Sequence, residues 1–228
     1  MTQVRAYFFA AAAILPFALL AGPASAQESE GRFQLKAFLT TVQPDAAITG
    51  VNTDLIGLAP GSQTSASNSV IPTIAAEYFF SPEFSVETIC CVTPHEVDGE
   101  GPLAGASLID DVIILPATVT AKYHFTGFDS FKPYVGAGPA YFHIFNEEVG
   151  ADAAALGATG ADLSDEFGFA LQAGVDVPLN DNGLGLSFDA KRYFIDTTAT
   201  FRAGSAIALQ TEHELDPWVI SVGLAYRF

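Results

Sequence analysis

The C-terminal end of the chain alternates between large apolar residues and residues that are mostly small or polar. From Trp218 to Phe228 every second side chain is large and apolar, and this apolar set lies on one face of an extended chain. A period of two predicts a β-strand with one apolar face. Comparable patterns bring the number of predicted strands to eight, the others being 32–43, 73–80, 83–94, 115–125, 131–146, 167–177 and 183–200.

The connections between these strands alternate between short and long. Short turns are predicted at 81–83, 126–130 and 180–183, and long connections at 44–68, 95–114, 147–163 and 201–214. This arrangement is typical of an outer-membrane β-barrel, which must close because an open sheet edge in lipid leaves backbone groups unpaired. A soluble β-sandwich also alternates, but its polar faces carry more Lys and Glu than these Gly-, Ala- and Ser-rich faces. The predicted fold is all-β, an eight-stranded antiparallel transmembrane β-barrel of the bacterial outer membrane.

The first 26 residues follow the pattern of an export signal. Arg5 supplies positive charge, an apolar stretch runs from Tyr7 to Leu20, and Ala24-Ser25-Ala26 is a cleavage site of small residues. A transmembrane anchor is the alternative, although the apolar stretch is short and no basic residues follow it. We therefore expect a signal peptide over 1–26 and the barrel over 27–228, in the outer membrane of a Gram-negative cell.

Composition and motifs exclude several classes of protein. With 9 Lys and Arg against 26 Asp and Glu, the chain carries a formal charge of −17, which disfavours nucleic-acid binding. Half of the residues are hydrophobic and 19 are Phe, which argues against disorder. No H-E-x-x-H or G-x-S-x-G motif is present, so neither an enzyme nor a cofactor or metal site is predicted.

Cys90 and Cys91 are adjacent in a predicted strand. Successive side chains of a strand point to opposite faces, and a disulfide between neighbours forms a strained ring. Two free thiols are therefore expected, with a vicinal disulfide as the alternative.

Several short motifs resemble the outer membrane protein W family, whose members include the alkane-uptake proteins of hydrocarbon-degrading bacteria. They stand in the family's order and together cover most of 32–228, although the long connections depart from the family, as do Pro178 and Gly183. The motifs are FKPYVGAG at 131–138, FNEE at 145–148, QAGVD at 172–176, LNDN at 179–182, and DPWV at 216–219 running on to GLAYRF at 223–228.

The resemblance implies an eight-stranded barrel with a narrow apolar channel that takes up small hydrophobic molecules and releases them sideways through the wall. The implied partners are outer-membrane lipid, lipopolysaccharide, small hydrophobic molecules and the outer-membrane assembly machinery. Phe228, two residues after Tyr226, resembles the signal that this machinery reads. A structural or receptor barrel with a plugged lumen and no transport remains the alternative function.

The alternation of side chains along each strand places a set of charged residues inside the barrel. Buried charges must be paired, so these side chains are expected to form a network that acts either as an ion path or as a polar plug, and the narrow lumen favours the plug. Parity places Arg192 on the lipid face, which predicts either a bulge or a position near the membrane interface. The predicted network contains Lys36, Glu77, Glu87, Lys122, Asp176, Asp189, Lys191 and Arg227.

The long connections contain more apolar residues than surface loops need. They either pack against each other and the barrel rim or line an apolar funnel for ligands. The candidate funnel residues are Leu55, Ile56, Leu58, Leu108, Ile109 and Leu156.

Aromatic residues predicted to anchor the barrel at the membrane interfaces are Tyr78, Tyr123, Trp218 and Tyr226.

Overall fold

A computed structural model describes residues 31–128 and 130–228, so the predicted signal peptide lies outside the described residues. The described chain is almost entirely β-structure, with one short α-helix, α1 (Ala151–Ala155), and one 3-10 turn (Gly101–Leu103). The strands are β1 (Phe33–Gln43), β2 (Ala47–Asp54), β3 (Gln63–Ala66), β4 (Ser69–Phe79), β5 (Phe84–Cys90), β6 (Thr93–Glu100), β7 (Ser107–His124), β8 (Lys132–Phe145), β9 (Glu148–Val149), β10 (Gly160–Leu163), β11 (Glu166–Pro178), β12 (Leu184–Phe194), β13 (Asp196–Ala203), β14 (Ala206–Glu214) and β15 (Trp218–Arg227).

Eight of these strands form a closed antiparallel barrel, which confirms the predicted fold. The strand order around the barrel is β1-β4-β5-β7-β8-β11-β12-β15, and β15 pairs with β1 to complete the circle. The barrel faces are inverted relative to a soluble protein, because large apolar side chains point outward while lysines and carboxylates point inward. Leu39, Ile74 and Phe188 are all exposed on the outer face. Among the described residues, no helix is both long and apolar enough to cross a membrane.

All three short turns lie at one end of the barrel, hereafter the short-turn end. They connect β4 to β5, β7 to β8 and β11 to β12. In the last of these, the Asn180 side chain accepts hydrogen bonds from the backbone N–H groups of Asn182 and Leu184, and Gly183 adopts a positive φ of 86° that favours glycine. The local sequence therefore specifies this turn.

All four predicted long connections contain strands, and 95–114 and 201–214 are mostly strand, which corrects their predicted character as loops. β10, β13, β14 and β2 form a second sheet, while β6 pairs with the upper part of β7 and carries β3 on its other edge. The reason is continuity, because a single residue separates β12 from β13 and two residues separate β5 from β6. These strands extend the barrel at the end opposite the short turns, hereafter the extended end.

Candidate functional site

The half of the barrel interior nearer the short-turn end is filled by a charged cluster centred on Glu87. Its Oε2 lies 3.0 Å from Lys36 Nζ and 2.9 Å from Lys122 Nζ, and its Oε1 lies 3.1 Å from Lys191 Nζ. The side chains of all four residues are at most 1% exposed. One carboxylate therefore joins three lysines that come from three different strands.

Further carboxylates complete this cluster, which we name the plug. Glu77 lies 2.9 Å from both Lys36 and Lys122, and Asp189 Oδ1 lies 2.7 Å from Lys191 Nζ. Asp176 lies farther from Lys36, at 3.6 Å. The plug consists of Lys36, Glu77, Glu87, Lys122, Asp176, Asp189 and Lys191, which come from β1, β4, β5, β7, β11 and β12.

Neutral side chains occupy the remaining hydrogen-bonding positions of the plug. Gln172 Nε2 donates to Glu87 at 2.8 Å and to Asp189 at 2.6 Å, and Tyr134 Oη donates to Asp189 at 2.7 Å. Gly174 makes room for this tyrosine, since a Cβ at position 174 would lie 2.3 Å from the hydroxyl oxygen. Among the described residues, Thr73 Oγ1 is the one side-chain nitrogen or oxygen that is sealed from any accessible space and has no hydrogen-bond partner.

Arg227, which was predicted in the charged network, and Arg192 lie away from the centre of the plug. Arg227 is at the short-turn end, where its Nε donates to the Gly31 carbonyl at 2.6 Å and its guanidinium lies 3.7 Å from the centre of the Phe79 ring. Arg192 lies at the extended end of β12, in regular register with β15. Its guanidinium contacts Asp216, and the regular register shows no bulge at Arg192.

Above the plug, the extended end encloses an apolar cavity of about 160 Å³, hereafter the chamber. Its wall is built from the second sheet, from β3, β6, β7 and β8, and from α1. Five of the six candidate funnel residues line the chamber, whereas Leu55 does not and is 73% exposed. The five are Ile56, Leu58, Leu108, Ile109 and Leu156.

A β-bulge turns two apolar residues of β7 into the chamber. Ile109 and Val112 are both buried, although a spacing of three would place them on opposite faces of a regular strand. Asp111, between them, has a φ of 54°, and the pairing of β6 with β7 shifts by one residue at this point. The extra residue restores the inward direction after Asp111 and keeps both side chains on the chamber side.

Four polar side chains line the otherwise apolar chamber: Thr64, His95, Thr211 and His213. His213 is partnered at both ring nitrogens, because Nδ1 lies 3.1 Å from Thr64 Oγ1 and Nε2 lies 2.6 Å from Thr211 Oγ1. His95 Nδ1 lies 2.7 Å from the Ser67 carbonyl oxygen. Burial among apolar groups lowers the pKa of His95 and of His213, so both rings are neutral at pH 7.

A second, smaller cavity of about 20 Å³ lies beneath the chamber and shares His95, Pro44, Ile114 and Leu215 with its lining. Its lining also includes Cys91, which lies between β5 and β6, and Pro116 of β7. Residues of β1, β8, β12 and β15 complete its lining, so this cavity lies across the lumen beneath the chamber and reaches the wall at Cys91 and Pro116 among other places.

The hydrogen-bonded ladder of the wall is interrupted at this point. β5 pairs with β7 as far as Ile89 and Thr118, and β6 resumes the same register at Thr93 and Ile114. Residues 90–92 therefore face residues 115–117 with no ladder pair between them. Pro116 lies in the middle of the interruption and has no N–H to donate.

Comparison with known proteins supports the same architecture. The chain matches the OmpW family over residues 29–228. It is 32% identical to outer membrane protein W of Vibrio cholerae, over 92% of this chain and 94% of that protein. The chain belongs to the OmpW family.

Solved structures of outer-membrane barrels agree with this assignment. The crystal structure of OprG from Pseudomonas aeruginosa superposes with a TM-score of 0.76 at 28% identity, covering 87% of this chain and 96% of OprG. The solid-state NMR structure of AlkL in lipid bilayers superposes with a TM-score of 0.69 at 23% identity, covering 91% and 95% of the two chains, and shows the shared fold. This OmpW-family chain is an outer-membrane protein.

Aromatic side chains of this OmpW-family barrel cluster at both ends of the outer face. At the short-turn end, Tyr78 packs on Phe33 with ring centroids 5.0 Å apart, and Tyr123 packs on Phe84 at 5.2 Å. Tyr226 lies at the same end, 5.8 Å from the ring of Phe228. Trp218 lies at the opposite end, 5.6 Å from the Arg192 guanidinium.

The two cysteines of this OmpW-family chain are free. Cys90 is exposed on the outer face and Cys91 is buried, as the alternation of a strand requires. No group of three or more His, Cys, Asp or Glu side chains is placed to hold a metal ion within residues 31–128 and 130–228.

The two chamber histidines were not predicted as site residues from the sequence. For His213 a signal exists, because Leu209, Thr211, His213 and Leu215 alternate inward along and just beyond β14. This pattern is weak, since polar and apolar residues share the inward face. His95 follows Pro94 at the start of an interrupted strand and carries no comparable signal.

Proposed function

We propose that this barrel admits small hydrophobic molecules into the chamber from the extended end and releases them sideways into the membrane. The observation that carries the proposal is the position of an almost wholly apolar chamber directly above a closed, charged plug. A ligand site of this kind is concave, mostly apolar and equipped with a few polar groups. The uptake of hydrophobic molecules implied by the family resemblance agrees with this arrangement.

The plug argues against passage straight through the barrel. A hydrophobic molecule that displaced Glu87 from its three lysines would leave desolvated charges without partners, at a cost of several kcal/mol. The apolar lining of the chamber imposes no such penalty. A molecule in the chamber therefore meets a high barrier below and a lower one at the side.

The interruption between β5 and β7 is the proposed lateral exit. Cys91 and Pro116 face the small cavity on the inside, while Cys90 and Val92 are exposed on the outer face. Separating the strands here disrupts no ladder pair, because none joins residues 90–92 to residues 115–117. Release at this level would deliver the molecule into lipid and bypass the lipopolysaccharide leaflet.

Uptake into liposomes tests the proposal. The purified barrel, reconstituted into vesicles, is expected to accelerate entry of a fluorescent apolar probe while leaving small-ion flux at the level of empty vesicles. Efficient ion flux would contradict the plug and favour an ion path. If the barrel accelerates neither probe entry nor ion flux, the transport proposal is overturned and a structural or receptor barrel remains.

A reversible disulfide cross-link across the interruption tests the exit separately. In a Cys90→Ser/Cys91→Ser background, a disulfide between Val92→Cys and Leu115→Cys would join the two strands across the interruption. Probe entry is expected to fall at least tenfold on oxidation and to recover on reduction. The matched control is a disulfide between Thr41→Cys and Ile220→Cys, which face each other in the intact ladder of β1 and β15. Equal loss in both variants would contradict a defined exit.

We also propose roles for the aromatic ends of the barrel. Tyr78, Tyr123, Trp218 and Tyr226 anchor the barrel at the two membrane interfaces, since their amphipathic rings suit the boundary between lipid and water. Phe228 serves as the signal for the outer-membrane assembly machinery. Their positions at the two ends of the lipid-facing surface support the anchoring role.

A further inference from the structure

We propose that the chamber binds small apolar molecules carrying a single hydrogen-bond donor, such as a one-ring phenol, and that His95 Nε2 accepts the hydrogen bond from that donor. This assignment rests on the proposed function, because it names the ligand that the chamber takes. It concerns ligand choice, whereas the proposed function concerns the path.

The bonding of His95 determines which ring nitrogen is available. The partner of Nδ1 is the carbonyl oxygen of Ser67, which can only accept, so Nδ1 must carry the proton and donate. Because burial also keeps the ring neutral, Nε2 holds a lone pair. Nε2 has no hydrogen-bond partner among the residues that the structure describes.

The position of His95 places this acceptor on the ligand path. The residue is only 3% exposed, yet it lines both the chamber and the small cavity beneath it. In the described chain, Thr73 Oγ1 is the unpartnered side-chain atom that is sealed from any accessible space. His95 Nε2 has no partner either but is not sealed in this way, so a small molecule can reach it. An unpartnered acceptor that is accessible inside a buried space is a binding position for a donor.

His213 supplies an internal contrast. It lines the same chamber and is similarly buried, but Thr64 and Thr211 occupy its two ring nitrogens. His213 therefore belongs to the wall, whereas His95 has unused capacity to accept a hydrogen bond.

The volume of the chamber limits the size of the ligand. An engineered apolar cavity of about 150 Å³ holds one benzene molecule, so a chamber of about 160 Å³ suits a molecule with one ring. Phenol and toluene differ only by a hydroxyl in place of a methyl group. They are matched probes for the contribution of a hydrogen-bond donor.

Histidine nitrogen NMR tests the assignment directly. The barrel, labelled with ¹⁵N-histidine and with ¹³C at the isoleucine methyl groups, is held in lipid nanodiscs and titrated with phenol and with toluene. Phenol is expected to move the Nε2 resonance of His95 upfield, as an acceptor nitrogen moves on hydrogen bonding, while the His213 resonances stay in place. Toluene is expected to perturb the methyl signals of Ile109 in the chamber but not His95 Nε2.

Two variants separate recognition from a structural role of the ring. His95→Leu removes the acceptor and is expected to weaken phenol binding roughly fivefold, the equivalent of one net hydrogen bond, without weakening toluene binding. His95→Gln keeps a donor for Ser67 and an acceptor for the ligand, so it is expected to restore phenol binding. Each ligand is compared between variants, so partitioning into lipid cancels.

The outcomes distinguish this proposal from the proposed function. Binding of toluene with no response of His95 to phenol would overturn the ligand assignment and leave the hydrophobic path intact. Failure of both probes to perturb the chamber would contradict both proposals. An equal loss of phenol and toluene binding in His95→Leu would make the residue part of the wall only.

Discussion

The plug and the chamber lie in one barrel but differ in how their space is filled. The plug fills its space with charged groups held at fixed distances, such as the 2.9 Å between Lys122 Nζ and Glu87 Oε2. The chamber is surrounded by apolar side chains, whose contacts are non-directional, and retains a cavity of about 160 Å³. Because an unpaired buried charge is far more costly than an apolar void, the charged half must close completely and the apolar half can stay open.

The largest expected effect comes from removing the centre of the plug. Glu87→Leu leaves three buried lysines with one fewer carboxylate and is expected to destabilise the barrel by about 3–5 kcal/mol. Urea unfolding in lipid vesicles measures this change. Thr73→Val is the matched control, since Thr73 Oγ1 has no partner to lose and the apolar isostere is expected to be neutral or slightly stabilising. Similar losses in both variants would refute the special role of the charged centre.

A smaller effect is expected at the mouth of the chamber and should appear in transport rather than in stability. Leu156→Asp puts a charge on the chamber lining and is expected to reduce entry of an apolar probe about tenfold, because the charge favours water over the probe. Leu55→Asp is the control, because Leu55 is comparably exposed, at 73% against 79%, but does not line the chamber. Vesicle uptake measures both. Equal inhibition would mean that total loop charge, not the chamber, controls entry.

The smallest effect is a dependence on pH confined to the extended end. Burial lowers the pKa of His95 and His213 below 6.5, so the unfolded chain binds more protons than the folded chain as the pH falls below that value. Stability of the chamber is therefore complete above about pH 6.5 and decreases below it, by at most about 1.4 kcal/mol per pH unit for each histidine.

Hydrogen exchange at pH 7.5 and pH 5.5, corrected for intrinsic rates, measures this difference strand by strand. Faster opening of β13 and β14 at the lower pH is expected, and the double variant His95→Gln/His213→Gln is expected to abolish it. A matching change in β1 and β15 would contradict a local origin in the chamber.

Much of the barrel was predictable because its strands carry a strong alternating signal. The outward set at Trp218–Phe228 and the inward parity of residues such as Lys122 both follow from a period of two. Physical constraint explains this success: lipid requires one face to be apolar, and the closed lumen requires the other to be polar or small.

The extended end was less predictable because its strands do not alternate regularly. Ile109 and Val112 share a face only because of the bulge at Asp111, and a bulge leaves no reliable mark in one sequence. The strands of 201–214 were predicted as a loop, since their inward face mixes Thr211 and His213 with leucines. Leu55 was grouped with the funnel by composition, although it points away from the chamber.

The sequence by itself determined the face on which the side chains of the regularly alternating barrel strands lie. Only the tertiary structure decided the height of each side chain and its partners, because these depend on the register between strands around a closed circle. Glu87 and Lys191 are 104 residues apart, yet they lie 3.1 Å from each other. The interruption opposite Pro116 and the open nitrogen of His95 arise in the same way, from neighbours that closure of the barrel brings together.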